Sequence, residues 1–451
     1  MKYLSVIAVG CSIFLSAFQA VAQDAKAPAV LSFKDAVKLG LANNLTLTQQ
    51  RNQLDYTQAN KTSTMFQLGP TVSGSANFYR TDGNSFNSNE GRVVNGVIDY
   101  IGGSLDASMP VFTGFGMINQ HRTASNANDA QLHQVVRSTQ DVIALVSNQY
   151  LMCLLDRELV KVNEENLRTQ QATFTQIDEQ AKVGAKAEAD VFNQDYQVKN
   201  AELTLLRSLN TYRKDKATLA VTMGVDPATF EIGEVDWDVN AQIQDTTSLN
   251  DMYVTAQERR SDLKQASSAE RSFQFGYAAV RGRWFPNVYA GISYGSRYNY
   301  VKGEDNRSFD DQFYNDNLSL SYGFSVQIPI WNALQTRSQA SFAKVAYKNA
   351  TIRRKNTEVV VKSDVLLAHQ NFNDARSSYT SSQAQLRAAE LSYKAEKEKY
   401  DLGMSNVVQL SVVNQTYVKA QGDFQTARFN LMFQKLLIEY ATGTLKVESI
   451  P

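Results

Sequence analysis

Histidine and cysteine side chains are the first candidates for catalysis or metal binding, and this chain has few of them. It contains three histidines, His121, His133 and His369, and two cysteines. No Cys, Asp or Glu stands at metal-motif spacing from the histidines, and the sequence contains no nucleophile elbow and no phosphate-binding loop. We therefore expect no cofactor, no metal and no enzyme activity. An enzyme stays the second class of function to be considered.

Charge and composition exclude two further classes of protein. The 451 residues include 45 basic and 45 acidic side chains, so the formal net charge is zero. A balanced charge argues against a polyanion-binding surface, and we expect no nucleic acid partner. Hydrophobic residues make up 43% and charged residues 20%, which is typical of an ordered protein. Only seven prolines occur, which predicts long uninterrupted elements.

The N-terminus has the features of a cleaved secretory signal. Lys2 precedes an apolar stretch, and Ala20-Val21-Ala22 gives the small-x-small pattern that a signal peptidase accepts. We predict a signal peptide over residues 1–22; an N-terminal membrane anchor is the alternative. After cleavage only Cys153 remains, so the mature chain has no internal disulfide. No later segment approaches 18 consecutive apolar residues, which predicts an exported protein that is either soluble or inserted as a β-barrel.

The chain contains an internal repeat. Three pairs of landmarks lie 219 residues apart (329 − 110 = 219): Pro110 and Pro329, Gly184 and Gly403, Gly224 and Gly443. Three pairs lie 216 apart (286 − 70 = 216): Pro70 and Pro286, Leu47 and Leu263, Ser32 and Ser248. Each half begins with a Ser-x-x-Asp capping box. We predict two structural repeats, residues 23–246 and 247–451.

Each repeat contains two segments that alternate apolar and polar residues. These segments predict strands at 71–80, 103–112, 287–297 and 317–330. The clearest alternation runs over thirteen residues, from Leu318 to Ile330. Its length suits a membrane-spanning barrel strand, which needs about 9–11 residues. The alternative is a half-buried strand of a soluble sheet, but four such strands in an exported protein favour the membrane.

Three large aromatic residues lie where the predicted strands meet the predicted helices. They are Phe112, Trp284 and Trp331. Amphipathic rings at one level predict an interfacial girdle at a membrane surface. Ordinary packing at a strand–helix junction is the alternative.

Very long helices follow the strands in both repeats. Proline-free stretches run from Pro110 to Gly184 and from Pro329 to Gly403, 74 residues each (184 − 110 = 403 − 329 = 74). At ~1.5 Å per residue, such a helix spans about 100 Å. A second helix follows each glycine, and in the second repeat it carries a coiled-coil seam. The sequence therefore predicts two helical hairpins with their tips near residues 184 and 403.

Four strands are too few to close a barrel, and lipid does not tolerate open strand edges. Closure must therefore come from other copies of the chain. Two copies would give eight strands with a packed interior. Three copies would give twelve strands with room for a pore, which the helices would extend as a tube.

Several short motifs stand in order along the two repeats. They are Leu31-Ser32-Phe33-Lys34-Asp35-Ala36-Val37, Asn43-Asn44-Leu45-Thr46-Leu47, Pro70 and Pro286, Met109-Pro110-Val111-Phe112, Ile328-Pro329-Ile330-Trp331 and Tyr400-Asp401-Leu402-Gly403. In these motifs the chain resembles the TolC-like outer-membrane efflux channel family. Their order and doubled spacing cover nearly the whole mature chain.

The resemblance implies an α+β membrane protein. It would be a homotrimer in the outer membrane, with one β-barrel of four strands per chain continued by a helical barrel across the periplasm. Its implied function is a channel-tunnel for efflux or secretion of small molecules or proteins. The implied partners are outer-membrane lipid, a periplasmic adaptor (membrane fusion) protein and an inner-membrane pump of the RND or ABC type.

The resemblance also implies a gate at the periplasmic mouth. In the family a tyrosine and an arginine of the second tip bind an aspartate after the first tip. Tyr400 matches the tyrosine and Asp190 the aspartate, but Ser405 stands in place of the arginine. Gln409 and Val412 stand in place of two aspartates that ring the mouth, so we expect a mouth that multivalent cations block weakly. The alternatives are a solvated helix-turn carboxylate for Asp190 and helix packing for Tyr400.

The hairpin tips resemble the surface that family adaptors meet. The tip residues are Val183, Gly184, Ala185, Leu402, Gly403 and Met404. Glycine at a helix end also has a purely conformational explanation, which is compatible with docking.

A periplasmic coiled-coil adaptor or structural protein is the alternative function. It would explain the hairpins but not the four strands. The acidic connector, residues 226–245, could form an outer belt or serve only as a linker.

Overall fold

A computed structural model describes residues 29–87, 91–235 and 248–450. The predicted signal peptide, the boundary between the repeats at 246 and 247, and residues 236–245 of the connector lie outside the described residues.

Six of the described elements occur in the same order in both halves: two shorter helices, two strands, a very long helix and a 36-residue helix. The first half contains β1 (Ala29–Leu31), α1 (Phe33–Asn43), α2 (Leu45–Phe66), β2 (Thr71–Asn87), β3 (Arg92–Thr113), α3 (Gly116–Lys182), α4 (Glu188–Met223) and β4 (Phe230–Ile232). The second contains α5 (Leu249–Arg259), α6 (Ser261–Gly282), β5 (Asn287–Val301), β6 (Ser319–Gln327), α7 (Gln335–Asp401) and α8 (Val407–Thr442). The helices are 11, 22, 67 and 36 residues long in each half, as a duplicated chain requires.

The largest sheet has four antiparallel strands in the order β2-β3-β5-β6. The central β3–β5 pair joins the two repeats, while β2 and β6 form the edges. Because each neighbour is antiparallel, β3 and β6 run in the same direction. The long helices α3 and α7 therefore leave the sheet at the same end.

The first hairpin is longer than the predicted strands. Predicted strand 71–80 continues to Asn87, and predicted strand 103–112 begins at Arg92. Residues 81–87 and 92–102 continue the ladder beyond the predicted strands, and backbone groups supply its hydrogen bonds. Arg80 stabilises it with two hydrogen bonds to Asp99, at 2.6 and 2.9 Å.

The second hairpin also corrects the predicted bounds. Predicted strand 287–297 continues to Val301, whereas predicted strand 317–330 is shortened to Ser319–Gln327. Gln327 lies opposite Asn287, the first residue of β5, so no partner remains for the residues that follow. Pro329 also lacks the N–H group that a ladder needs.

Each long helix lies beside a second rod that two shorter helices form end to end. The last turn of α4 meets the start of α2, where the Asn43 side chain donates to the Met223 carbonyl oxygen at 3.1 Å. In the second repeat the buried Arg260 guanidinium donates to the Ala441 carbonyl oxygen at 3.2 Å. These contacts satisfy carbonyl groups that every helix C-terminus leaves free. Among the described residues, no helix combines the length and apolar character that crossing a bilayer requires.

The main core lies beside α3, where both ends of the described chain meet. Strand β1 pairs in parallel with β4, so the described part of the connector forms a small sheet with the N-terminal segment. The buried Tyr150 hydroxyl lies 2.8 Å from the Leu31 carbonyl oxygen and 3.2 Å from that of Gly233. Leu445 and Ile450, near the C-terminus, are buried in the same cluster.

Candidate functional site

The four-stranded sheet has one apolar and one polar face. The pairing register places Val72, Ala107, Ile292 and Tyr322 in one row across all four strands. Side chains of directly opposed residues lie on the same side of a sheet, and successive rows alternate. Large apolar side chains on this face are exposed, Tyr322 by 80%. Such a face requires an apolar environment outside the single chain.

The polar face carries hydroxyl groups and a carboxylate. Asp106 accepts hydrogen bonds from Ser104 at 2.6 Å and from Ser293 at 2.5 Å. The Ser104 hydroxyl also lies 2.9 Å from that of Ser75. This hydrogen-bonded surface is compatible with water, so the two faces of the sheet suit two different solvents.

Segment 302–318, between β5 and β6, covers the part of β5 that β6 does not reach. It contains a helical turn, Phe309–Asp311, followed by the π-helical turn Gln312–Asp316. Side-chain amides bind alternate backbone groups of β5: Asn317 binds Arg297, Gln312 binds Asn299, and Asn306 binds Val301. We did not predict this feature; its sequence signal is four amide residues spaced along the segment, three of which make these contacts.

The structure brings two of the three predicted interfacial aromatics together. Trp284 and Trp331 are 52% and 77% exposed and line one shallow groove with Pro329, at the helical end of the sheet. Phe112 does not line this groove; its ring packs edge-on against Phe115, with centroids 5.4 Å apart.

Each hairpin tip is a glycine turn that closes a long helix. Gly184 and Gly403 have φ values of +77° and +75°, a conformation that strains other residues. At the first tip, the Gly184 N–H donates to Ala181 O at 2.9 Å and the Ala185 N–H to Gln180 O at 2.8 Å. Gly403 and Met404 repeat this pattern in the second. These are Schellman motifs, which satisfy the last carbonyl groups of a helix.

The tips expose apolar side chains. Val183, Leu402 and Met404 are 80%, 72% and 69% exposed, while Ala185 and both glycines are exposed as well. The tips therefore present exposed apolar side chains at the ends of the long helices.

Near the second tip, Tyr400 lies inside the protein. It is 6% exposed and packs in a cluster with Ile177, Val407 and Leu410. Burial raises the pKa of Tyr400, and the negative charge of Asp190 contributes. Its hydroxyl has no hydrogen-bond partner among the described residues. The structure thus brings Asp190 near Tyr400 without a hydrogen bond between them.

The other predicted mouth residues make contacts of their own or are exposed. The Ser405 hydroxyl donates to a carboxylate oxygen of Glu396. Gln409 is exposed, and its backbone N–H donates to the side chain of the helix cap Asn406 at 2.8 Å. Val412 is 52% exposed. Glu396 and Asn406 were not among the predicted site residues; both hold the turn at the second tip.

The histidines occupy ordinary helical positions. His121 Nδ1 lies 3.3 Å from the Thr64 hydroxyl, and burial lowers the pKa of His133. In residues 29–87, 91–235 and 248–450, no three His, Cys, Asp or Glu side chains cluster in a way that could hold a metal.

Sequence comparisons agree with this architecture. The model of the family described as outer membrane efflux protein matches residues 36–225 and 252–436. The toluene efflux pump outer membrane protein TtgC of Pseudomonas putida is 23% identical over 424 residues, covering 90% of this chain and 80% of TtgC. The antibiotic efflux pump outer membrane protein ArpC of Pseudomonas putida has the same identity and coverage.

Solved structures share the fold. The outer membrane protein VceC of Vibrio cholerae superposes with a TM-score of 0.80 at 13% identity, over 91% of this chain and 96% of VceC. A membrane protein from Pseudomonas aeruginosa has a TM-score of 0.80 at 18% identity, over 94% and 93% of the two chains. At these identities the likeness establishes the architecture alone.

Proposed function

Because the chain belongs to the outer membrane efflux protein family, we propose that three copies of it form a channel that carries small molecules out through the outer membrane. In this proposal the sheets form one barrel in the membrane. The paired rods extend it as a helical tunnel across the periplasm.

The observation that carries the proposal is the incomplete sheet. Strands β2 and β6 each have a single partner, although every backbone group in lipid must be paired. Joining β6 of one copy to β2 of the next satisfies both edges. Three copies give twelve strands, which leave an open lumen, whereas eight strands enclose only side chains. The apolar face then meets lipid and the polar face lines the lumen.

The names of the matched relatives support small molecules as cargo. The matched relatives are named as parts of toluene and antibiotic efflux pumps. We propose that this channel receives such compounds through a periplasmic adaptor and an inner-membrane pump of the RND or ABC type. Secretion of proteins is the second cargo class that the architecture accommodates.

The exposed tips are the proposed adaptor-docking surface, because they present rigid apolar ends at the far side of the rods. Replacing both Val183 and Leu402 with Asp should abolish efflux-dependent drug resistance in cells. Single-channel conductance of the purified double variant should be unchanged, since neither side chain is in a core cluster. Unchanged resistance would remove the tips from the docking surface.

We propose that Asp190, Tyr400, Ser405, Gln409 and Val412 line or support the mouth. Tyr400 would act from inside the wall of the tunnel, through the packing of the tip. Without an arginine at 405 or carboxylates at 409 and 412, the closed state would depend on this packing and not on an ion pair.

Conductance in planar bilayers tests the function directly. The protein should require detergent for extraction, behave as a trimer, and give discrete conductance steps after insertion. A periplasmic adaptor or structural rod would instead be extracted without detergent. A stable monomer in plain buffer that gives no conductance would contradict the channel.

A further inference from the structure

A lysine of the first hairpin tip reaches the second hairpin. Lys186 lies in the turn between α3 and α4, and its Nζ atom lies over the ring of Tyr400, 5.1 Å from the ring centroid. Tyr400 is in the last turn of α7. An ammonium group within about 6 Å of a ring centroid, over the face of the ring, makes a cation–π contact. A contact of this kind therefore joins the two hairpins at their tips.

The ring that receives the ammonium group is held by residues of both hairpins. Tyr400 packs in one cluster with Ile177 of α3 and with Val407 and Leu410 of α8. The tyrosine is 6% exposed, and Ile177 is fully buried. Because close-packed side chains keep their rotamers, the ring face that meets the ammonium group is fixed in place.

The charge of Lys186 is available for this contact. Lys182, four residues earlier, lies 2.6 Å from Asp178 of its own helix. Among residues 29–87, 91–235 and 248–450, no carboxylate lies within 4 Å of the Lys186 ammonium group. The side chain of Lys186 is nevertheless half-buried, although lysines are mostly solvated. Its position is therefore explained by the ring and not by an ion pair.

The surroundings of the ring favour a cation. Burial raises the pKa of Tyr400, and the negative charges of Asp190 and Asp401 raise it further. An ammonium group at the ring therefore enters a region of negative potential, which stabilises it.

The repeat places the cation on one tip and the ring on the other. Position 405 is the equivalent of position 186 (405 − 186 = 219), and it carries Ser405, whose hydroxyl donates to Glu396 of its own hairpin. The equivalent of Tyr400 is Ala181 (400 − 181 = 219). The contact therefore exists in one direction only, from the first hairpin to the second.

The polar contacts between the hairpins further from the tips are made by neutral amides. Asn414 donates to the Asn166 side chain at 3.0 Å, and Gln415 donates to the Gln197 side chain at 3.1 Å. When hairpins separate, such hydrogen bonds are exchanged for bonds to water, so each of them opposes separation weakly. A cation–π contact with a buried ring adds a stronger restraint at the tips.

We propose that Lys186 is a positioning residue for the periplasmic mouth, whose ammonium group holds the second hairpin against the first through the Tyr400 ring and so favours the closed state. The proposal rests on the proposed channel function. It assigns the mouth a latch that consists of the Lys186 cation and the Tyr400 ring face. The tyrosine hydroxyl has no part in the latch, since it has no hydrogen-bond partner in the described part of the chain.

Single-channel recording of the full-length mature protein in planar bilayers tests the latch. Lys186→Gln should increase the fraction of time spent in the open level by about fivefold, as the loss of one partly buried cation–π contact predicts. Lys186→Arg, which keeps a cation, should restore most of the closure. Lys182→Gln is the matched control, because it removes the same charge from the same tip without affecting the Tyr400 ring.

Variants of Tyr400 separate the role of the ring from that of its hydroxyl. Tyr400→Phe keeps the ring face and should open far less often than Tyr400→Leu, which loses it. Adding Lys186→Gln to Tyr400→Leu should cause no further increase, because the two residues act through one contact.

Four results would overturn the latch while the channel still conducts. They are equal open fractions for Lys186→Gln and Lys182→Gln, equal effects of Gln and Arg at position 186, equal effects of Phe and Leu at position 400, or additive effects in the double variant. Absence of conductance from the wild-type protein would instead contradict the channel itself.

Discussion

At the scale of single residues, the proposed mouth carries no charged side chain at positions 405, 409 and 412. The exposed positions 409 and 412 carry Gln and Val, and Ser405 binds Glu396 within its own tip. No carboxylate is available at 409 or 412 to hold a cation. Selectivity at this end of the tunnel should therefore depend little on charge.

Multivalent-cation block measures this dependence. The wild-type channel should be blocked weakly from the periplasmic side, and Val412→Asp or Gln409→Asp should increase the affinity of the block by about tenfold, because three added charges face one another. Gln409→Asn and Val412→Asn serve as neutral controls. Strong block of the wild-type channel would show that other carboxylates line the mouth.

Asp156, on α3, gives the helical part a distinct pH dependence. It is 7% exposed, and its Oδ2 has no hydrogen-bond partner in the described part of the chain. Burial, followed by the nearby charge of Asp215, raises its pKa to about 7. Since this value exceeds the unfolded value of 3.8, the folded state binds the extra proton. Its contribution to stability is present below about pH 4 and is lost as pH rises through 7.

Asp156→Asn should therefore raise the thermal unfolding midpoint at pH 8 by several degrees and have little effect at pH 4, since ~1 kcal/mol shifts the midpoint by about 2–4 °C. Circular dichroism at 222 nm, at fixed protein and detergent concentration, provides the measurement. Glu164→Gln, at an exposed position on the same helix, is the matched control. An equal gain at both pH values would exclude titration of Asp156.

At the scale of elements, glycines decide how closely the helices meet the sheet. Gly282 ends α6, and a Cβ atom there would lie 2.7 Å from Gly114 O and 2.9 Å from the Gly116 Cα. Gly276, in the same helix, would place its Cβ no closer than 3.8 Å to Thr123. Only a Cβ atom at position 282 would therefore force the backbone at the start of α3 to move.

Gly282→Ala should lower the free energy of unfolding by about 1–3 kcal/mol, as overpacking does. Gly276→Ala should be neutral or stabilising by about 0.5–1 kcal/mol, because alanine favours the helix interior. Denaturant titration of both variants in the same detergent compares them. Equal effects would mean that the junction is free to adjust.

The sequence predicts elements well where one residue type determines the local geometry. The tips at Gly184 and Gly403 follow from helix patterns that end at a residue with positive φ. The parts of β2 and β3 beyond the predicted bounds were missed because their residues do not alternate between apolar and polar. Backbone pairing and the Arg80–Asp99 ion pair stabilise them instead. Segment 302–318 was missed because its amide side chains bind the edge of β5 where a neighbouring strand would otherwise lie. Such contacts leave no periodic pattern in the sequence. Among the site residues, the burial of Tyr400 could not be predicted from the local sequence, because Tyr400 packs against Ile177, which is distant in sequence.

At the scale of the whole molecule, closure of the proposed barrel depends on the edge of β6 that pairs with no other described strand. Alternate N–H groups along β5 and just beyond it point to opposite neighbours. The Lys302 N–H, directly after β5, donates to the Val97 carbonyl oxygen of β3, whereas the Asn299 N–H donates to the Gln312 side chain, on the side of β6. Ser321 lies opposite Ser293, which has the same orientation as Asn299. The N–H of the next residue, Tyr322, therefore points away from the sheet.

Tyr322→Pro should abolish trimer formation, because it removes a donor from the edge that joins the copies while leaving β5–β6 pairing intact. Tyr322→Ala, which keeps the N–H group, should still form trimers. Size-exclusion chromatography with light scattering in detergent distinguishes the two. Trimers of the proline variant would place the subunit contact elsewhere.

The meeting of β1, β4 and the C-terminal residues in one core has a consequence for the covalent order of the halves. The start of the first repeat and the end of the second are already neighbours, held by the same side chains as the link between the repeats. A circularly permuted chain that is opened after β4 and closed between the regions of Ala29 and Ile450 should therefore retain the contacts of this core.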